Sequence, residues 1–464
     1  MRVTQNPDFR RLRAAQGVSQ IGSQIGFLAL PLAALQVLHA SVFEVSVLTA
    51  VGIVPFLLIG LPAGVWIDRM PRRPVLIATD LFRALLLFTV PLAYALDMLT
   101  LGQLYVVAFG QGVANVFFDV AYQSYLPDVV ETDQLTEGNA QLELARSASQ
   151  VIGPSAGGWL ISALKAPVAL GADALSFLFS AFMVSRIPPG REKPVATDGN
   201  RTTWSVLWKE VGEGLRFVRR HRLLAPVAGV GALLNFSFGM VAAIFTTYAV
   251  RELGFSAAKL GTVMAIGSLG IVLGAAVARR LSQRLGTGPS IVLGALLNGV
   301  GPLLTPAAPA SAPEVFITCG VFVQSFGVVL FNVNQVSLRQ SVTPRPLMGR
   351  MTATIRFVVW GTLPVGSLCS GALATSFGLH RALWVSAAVG ALAFLGALFS
   401  DVRTVGTKRV PLPTSTSGTA AAGVPHLPDA PDVPGAPVKA DLDDSTDVGS
   451  AGGPAERCDR TDVR

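Results

Sequence analysis

The chain has 464 residues, of which 51% are hydrophobic and 14% charged. Soluble domains carry about a quarter charged residues, so most of this chain must face lipid. The formal net charge of +8 lies in short loops, which points to membrane topology and away from nucleic acid as a partner.

Taken in order, a hydropathy window of about 19 residues predicts twelve spans. They cover 14–38, 43–67, 74–98, 101–125, 139–164, 167–187, 223–249, 256–280, 288–308, 313–338, 350–375 and 380–400. The first run is too long for a signal peptide, carries Gln20 and Gln24, and is followed by many more spans, so it reads as an uncleaved first helix. The 47 glycines suit close-packed membrane helices. Segment 188–222 divides the spans six and six, and within it Trp204, Leu207, Trp208, Val211, Leu215 and Val218 recur at helical spacing. That pattern predicts a helix lying on the inner membrane face. The tail 404–464 is rich in Pro, Ala, Gly, Asp and Thr, and is expected to be disordered. The predicted organisation is an N-terminal half over 1–187, a linker over 188–222, a C-terminal half over 223–403 and the tail.

Arginine and lysine set the orientation. Arg2, Arg10, Arg11, Arg13, Arg69, Arg72, Arg73, Arg279, Arg280, Arg284 and the basic residues of 188–222 fall on one side. The other side holds only Lys165, Arg251, Lys259 and Arg381. Both termini are therefore expected in the cytoplasm of a multi-pass plasma-membrane protein. Cys319, Cys369 and Cys458 are too few and too scattered for a disulfide framework or a zinc site, and the first two read as packing residues. No cofactor and no metal are expected. No Gly-Lys dipeptide occurs, so there is no Walker A loop for an ATP-driven pump. His39, His221, His380 and His426 are dispersed, which argues against an enzyme.

Between spans 2 and 3 stands Gly64-Val65-Trp66-Ile67-Asp68-Arg69-Met70-Pro71-Arg72-Arg73. Gly64 permits close helix approach. Arg69, Arg72 and Arg73 stand where helix C-terminal carbonyls and anionic headgroups attract cations. An ordinary arginine-rich turn explains the arginines but not a glycine four residues before an Asp-Arg pair. The stretch resembles the signature loop of the major facilitator superfamily, a large family of secondary transporters. The halves also repeat one another. Gly64, Arg69, Arg146 and Pro154 have counterparts in Gly274, Arg279, Arg356 and Pro364 at an offset of 210 residues. Gln111 and Phe118 match Gln324 and Phe331 at 213. Parallel repeats of this kind build the fold of that family. Gly153-Pro154-Ser155-Ala156-Gly157-Gly158 resembles its antiporter element, although Ala140 and Ser149 stand where the longer form has glycines. A kinked, tightly packed helix would also explain it. In span 4, Gln111 and Gly112 match a third motif, but Ala108 replaces the arginine linked to proton transfer.

Asn6-Pro7-Asp8-Phe9-Arg10, Asp80-Leu81-Phe82-Arg83-Ala84-Leu85, Ala121-Tyr122-Gln123-Ser124-Tyr125-Leu126-Pro127 and Asn139-Ala140 extend the resemblance to residues 6–400. They are similar to the enterobactin-exporter-like and macrolide-efflux-like branch. The resemblance implies an all-α integral membrane fold of twelve helices in two pseudo-symmetric bundles. It implies an exporter of a small amphipathic molecule (drug, macrolide, siderophore or secondary metabolite), driven by an ion gradient, with H+ as the expected ion; a monomer is expected. An importer of the same fold and a non-transporting sensor are the rival readings. In the resembled fold the loop 64–73 meets the start of span 11 near Gly349–Met351. Asp68 would face that helix N-terminus and stabilise the outward-open state.

Polar groups at the bilayer midplane need a partner or a wet cavity. Gln20, Gln24, Gln111, Asn115, Asn235, Gln324 and Asn332 lie on spans 1, 4, 7 and 10, which line the cavity in the resembled fold, with Phe236, Phe238, Phe245 and Tyr248 as an apolar wall. Helix–helix hydrogen bonding is the alternative. Asp80, Arg83, Asp119, Glu143 and Arg146 form a second group at similar depth. Asp80–Arg83 and Glu143–Arg146 have i,i+3 spacing, which leaves Asp119 to find Arg83, Arg146 or Arg72. The group is either a fixed ion-pair lock or a proton-coupling site in which Asp119 or Glu143 loses its arginine.

Overall fold

The structure is a computed structural model that describes residues 3–67, 69–188, 204–344 and 347–406. Thirteen long helices follow one another among these residues: α1 Pro7–Gln36, α2 Val42–Ile67, α3 Arg72–Ala95, α4 Leu101–Val129, α5 Leu135–Leu164, α6 Ala166–Ser185, α7 Trp204–Arg220, α8 Leu224–Arg251, α9 Ala257–Leu285, α10 Thr287–Val300, α11 Pro313–Val342, α12 Met348–Phe377 and α13 Leu379–Leu398. Local chemistry starts several of them. Asn6 caps α1 by accepting from the Asp8 and Phe9 amides at 2.9 and 3.3 Å, and Pro7 begins the helix. Ser41 and Glu44 form a reciprocal capping box on α2. Thr100 and Ser256 cap α4 and α9.

Among the described residues, eleven helices are long and apolar enough to cross a bilayer. α5 is a twelfth of membrane length, with 30 residues, but Glu137, Glu143 and Arg146 in its first half lower its hydropathy. The predicted ninth span is α10, which gives way to a 3-10 turn at Gly301–Leu304, where Pro302 supplies no backbone donor.

The same five helix pairings build both halves. In the first, α1 packs on α5 and α6, α3 on α4 and α6, and α2 on α4. In the second, α8 packs on α12 and α13, α10 on α11 and α13, and α9 on α11. The single-residue connections correspond too. Lys165 joins α5 to α6 at φ 70°, and Gly378 joins α12 to α13 at φ 86°. A left-handed backbone is routine for glycine and uncommon for lysine, so the turn geometry is kept where the residue is not.

The halves meet through α5 on α9 and α2 on α12, a reciprocal pair under the same symmetry. At the end holding the α1–α2 turn they are closed. Leu28, Leu32 and Leu35 of α1 share a buried cluster with Ala249, Phe255, Leu260 and Val263 of the second half. Arg251 Nη2 donates to the Ala40 carbonyl at 2.7 Å, and the Ala258 amide donates to Ser162 Oγ at 2.9 Å. Towards the end holding the α1 N-terminus, a cavity of about 440 Å3 opens between α2, α4 and α12.

Two expectations change. α7 forms over Trp204–Arg220 as its periodicity predicts, but Val218 is buried with Leu224, Met351 and Ile355, so at least that part of its apolar face packs on protein. Arg350 of α12 pairs with Glu213 of α7 at 2.8 Å. Cys319 and Cys369 are exposed rather than packed. In a chain whose exposed surface carries Leu85, Leu92, Val106, Trp159 and Leu175, an apolar span residue can face lipid as readily as core. Cys458 and the tail from residue 407 lie outside the described residues.

Candidate transport pathway and its charged groups

The α2–α3 turn is held by helix ends. The Arg69 and Met70 amides donate to the Trp66 and Ile67 carbonyls at 3.2 and 3.0 Å. Arg72 pairs with Asp128 near the end of α4 at 2.6 Å, and Arg73 Nη2 donates to the Ser185 carbonyl, which ends α6, at 2.7 Å. The turn arginines thus tie together the near ends of α3, α4 and α6, as helix C-termini favour. Asp68 lies outside the described residues. A Cβ added at Gly64 or Gly349 would meet nothing within 4 Å. The close approach expected of Gly64 is not made in this conformation, in which the cavity lined by Gly60 and Gly349 separates the near ends of α2 and α12.

The glycines of α5 do make close contacts. A Cβ at Gly153 would strike the Gln24 side chain, and one at Gly157 would lie 3.1 Å from the Ile25 Cα. Gly158 faces the other half. Its added Cβ would clash with the Ala257 carbonyl, and one at Gly261 would clash with the Pro154 carbonyl. The Gly158–Gly261 contact brings the α5 and α9 backbones together without side chains between them.

Arg83 is the centre of the first half. It forms a buried ion pair with Asp80, and its Nη1 donates to Asn115 Oδ1 at 2.9 Å. The guanidinium lies 4.1 Å from the centroids of both Phe118 and Phe177, a cation–π sandwich. Gln111 Nε2 donates to the Arg83 carbonyl at 2.9 Å. Beside this group, a second cavity of about 250 Å3 is lined by Ser23, Gln111, Asn115 and Asp173. Asp173 is 3% exposed and is missing from the sequence-based candidates. A lone acid in the middle of span 167–187 is the signal that would have found it.

Asp119 lines the larger cavity with Arg356 of α12. The charges around it are Arg83, Arg146 and Arg356. Arg146 and Arg356 are the two positions related by the repeat, so this acid stands among arginines from both halves. Arg72 is taken by Asp128.

A family model for the major facilitator superfamily matches residues 14–360 and 227–430. The chain belongs to the major facilitator superfamily. Among curated relatives, it is 27% identical over 369 residues to the multidrug efflux pump Tap of Mycolicibacterium fortuitum, covering 77% of this chain and 87% of that protein. It is 20% identical over 403 residues to macrolide efflux protein A of Streptococcus pyogenes, covering 86% and 98%. The fold matches the nucleoside transporter NupG with a TM-score of 0.69 at 12% identity, covering 84% of this chain and 98% of that one. A bacterial homologue of the iron transporter ferroportin in an inward-facing state gives 0.64 at 18% identity, covering 84% and 98%. The protein is therefore a multi-pass membrane transporter of this superfamily.

Against this superfamily fold, the predicted polar residues divide. Gln111 and Asn115 share one cavity. Gln24 packs on Gly153, and Gln324 is packed against Gly301. Asn235 donates to the Gly231 carbonyl of its own helix at 2.9 Å, and Asn332 accepts from Gln335 at 3.4 Å. Gln20 is half-buried on α1. Tyr248 is buried against His380, Phe245 packs on the cluster between the halves, and Phe238 is exposed. The apolar wall of the larger cavity comes instead from Phe56, Phe357 and Trp360. Phe56 and Trp360 touch across the halves with centroids 5.4 Å apart. Glu143 and Arg146 are 3.9 Å apart with exposures of 69% and 57%, too open for a rigid lock.

Proposed function

We propose that the protein exports a small amphipathic molecule from the cytoplasm, driven by proton uptake, as the two halves rock about the substrate path. The observation that carries this reading is the cavity between the halves: aromatic walls, one acid, and an arginine from the other half, beneath a closed far end. Relatives named as multidrug and macrolide efflux pumps support the direction and substrate class. The positive charge on the near-end loops supports cytoplasmic termini, so the cavity of this conformation faces inward. Import would give the opposite sign in the deciding experiment. Cells carrying the gene are expected to accumulate less macrolide, antibiotic dye or siderophore than cells lacking it; equal or greater accumulation of every compound tested overturns export.

Within this reading Asp119 is the acid the halves share, standing in the field of Arg146 from its own side and Arg356 from the other, with no ion pair to either in this conformation. Removing its charge removes the attraction that draws α12 towards α4 as the near end closes. Asp119→Asn is expected to slow efflux at least about tenfold, the effect of some 1.4 kcal/mol on a barrier, while ligand affinity in detergent stays near that of the wild type. Unchanged efflux rules out the role. The gate loop gives a second expectation. If Asp68 meets the α12 N-terminus in the closed state, Asp68→Asn abolishes efflux at normal membrane levels, and a well-expressed variant with normal efflux removes that contact from the mechanism.

A further inference from the structure

We infer that Asp173 is the group that binds and releases the coupled proton, at the seam between α1 and α6. The inference rests on the proton-driven reading above and names the acid.

The seam is built around this side chain. Asp173 stands near the middle of α6 and is 3% exposed. Gly22 and Gly26, one turn apart on α1, face it: a Cβ at Gly26 would fall on its Oδ2, and one at Gly22 would fall first on Ser176 Oγ and next on its Oδ1. A larger residue at Gly26 would displace the carboxylate, and one at Gly22 would displace the Ser176 hydroxyl together with it. Ser176 Oγ is 3.3 Å from Oδ1 but makes its shorter bond, 2.7 Å, to the Asp173 backbone carbonyl. Asp173 forms no ion pair among the described residues.

The charges around it do not balance. The neighbouring groups on α1, α2 and α4 that line its cavity are Ser23, Gly26, Thr49, Gln111 and Asn115, all uncharged. α3 supplies Arg83, the cation that acts on Asp173, and Asp80. Arg83 is already committed to Asp80 and Asn115. Two carboxylates thus stand near one guanidinium that pairs with only one of them, at a buried position where an unpaired ion costs several kcal/mol. The site is neutral with one proton bound, and because Asp80 holds the arginine, the proton belongs on Asp173. The cavity beside it is roomy and polar enough for water, which gives the proton a path. No bond other than O–H forms or breaks: water in the cavity delivers the proton to a carboxylate oxygen and later receives it back. A tilt of α1 moves Gly22 and Gly26 relative to Asp173, and so ties proton occupancy to the position of the helix.

The test is infrared difference spectroscopy of the purified full-length protein over a pH series, which needs no substrate. The wild type is expected to show a protonated-carboxyl band that titrates. That band is lost in Asp173→Asn, persists in Asp119→Asn and Glu143→Gln, and shifts its midpoint by about one pH unit in Gly26→Ala. Asp173→Glu, which keeps a carboxyl, retains a titrating band and confirms that loss in the asparagine variant is not misfolding. A band that survives Asp173→Asn, or one removed instead by Asp119→Asn, overturns the assignment. A titrating Asp173 in a protein that exports nothing would leave the site standing and remove the export reading.

Discussion

Gly158→Val is expected to abolish efflux while leaving the protein inserted at near-normal levels. The reason is geometric. A Cβ at Gly158 meets the Ala257 carbonyl and the Gly261 Cα, both of them backbone, so no flexible side chain can give way. Valine adds two methyl groups beyond that Cβ. The closed far end of this conformation is then out of reach, and a transporter confined to one side of its cycle does not turn over. Gly261→Val should reproduce the effect from the partner helix, whereas Gly17→Ala, whose Cβ meets nothing within 4 Å, should be neutral. The measurement is dye efflux normalised to membrane level, with binding of a cysteine reagent at the far end to report whether the seam closes. Normal efflux by Gly158→Val would show that the α5–α9 crossing loosens without penalty.

Arg83→Ala should give the largest loss of stability, about 3–5 kcal/mol, because it leaves Asp80 as an uncompensated buried charge. It also empties the space between Phe118 and Phe177. The pair itself need not be favourable over an apolar one. The combination of Asp80→Asn with Arg83→Met is therefore expected to recover most of the loss, and the double-mutant cycle should show strong coupling. Arg146→Ala, at a side chain 57% exposed, should change stability by less than about 1 kcal/mol. Thermal unfolding in detergent orders the three. An Arg83→Ala protein as stable as Arg146→Ala would contradict the buried network.

Much of the architecture is legible in the chain because it rests on local signals. Apolar runs of membrane length, the punctuation between them and a duplicated motif are each visible within a few tens of residues, and the predicted spans correspond to the twelve membrane-length helices observed. Arg73 at the end of α6 follows from the general attraction of helix C-termini for cations. The pairings that define the site depend on residues far apart in sequence. Gly158 shows that it needs a neighbour, but nothing local says that the neighbour is Gly261. Asp173 is a single acid in an apolar run with no charged residue at helical spacing; the arginine that acts on it comes from α3. Polar spacing on α1, α4, α8 and α11 likewise does not say which amide packs on a glycine and which lines a cavity. Nor does a sequence carry one conformation. Gly64 reads as a contact residue, and here it stands open.

The two crossings between the halves have a mechanical consequence. Gly158 stands 23 residues from the start of α5 at Leu135, and Gly371, whose added Cβ would meet Ser46 of α2, stands 23 residues from the start of α12 at Met348. At 1.5 Å per residue these are two levers of equal length, each about 34 Å from fulcrum to near end. Each degree of tilt carries the near end about 0.6 Å, so ten degrees moves it about 6 Å while the fulcrum stays in contact. The short arm of α5, from Gly158 to Leu164, is about 9 Å. A wedge that displaces the short arm by about 1 Å therefore swings the long arm by nearly 4 Å. Small substitutions at the far end should thus be felt most strongly at the opposite mouth of the cavity, where no atom has been changed.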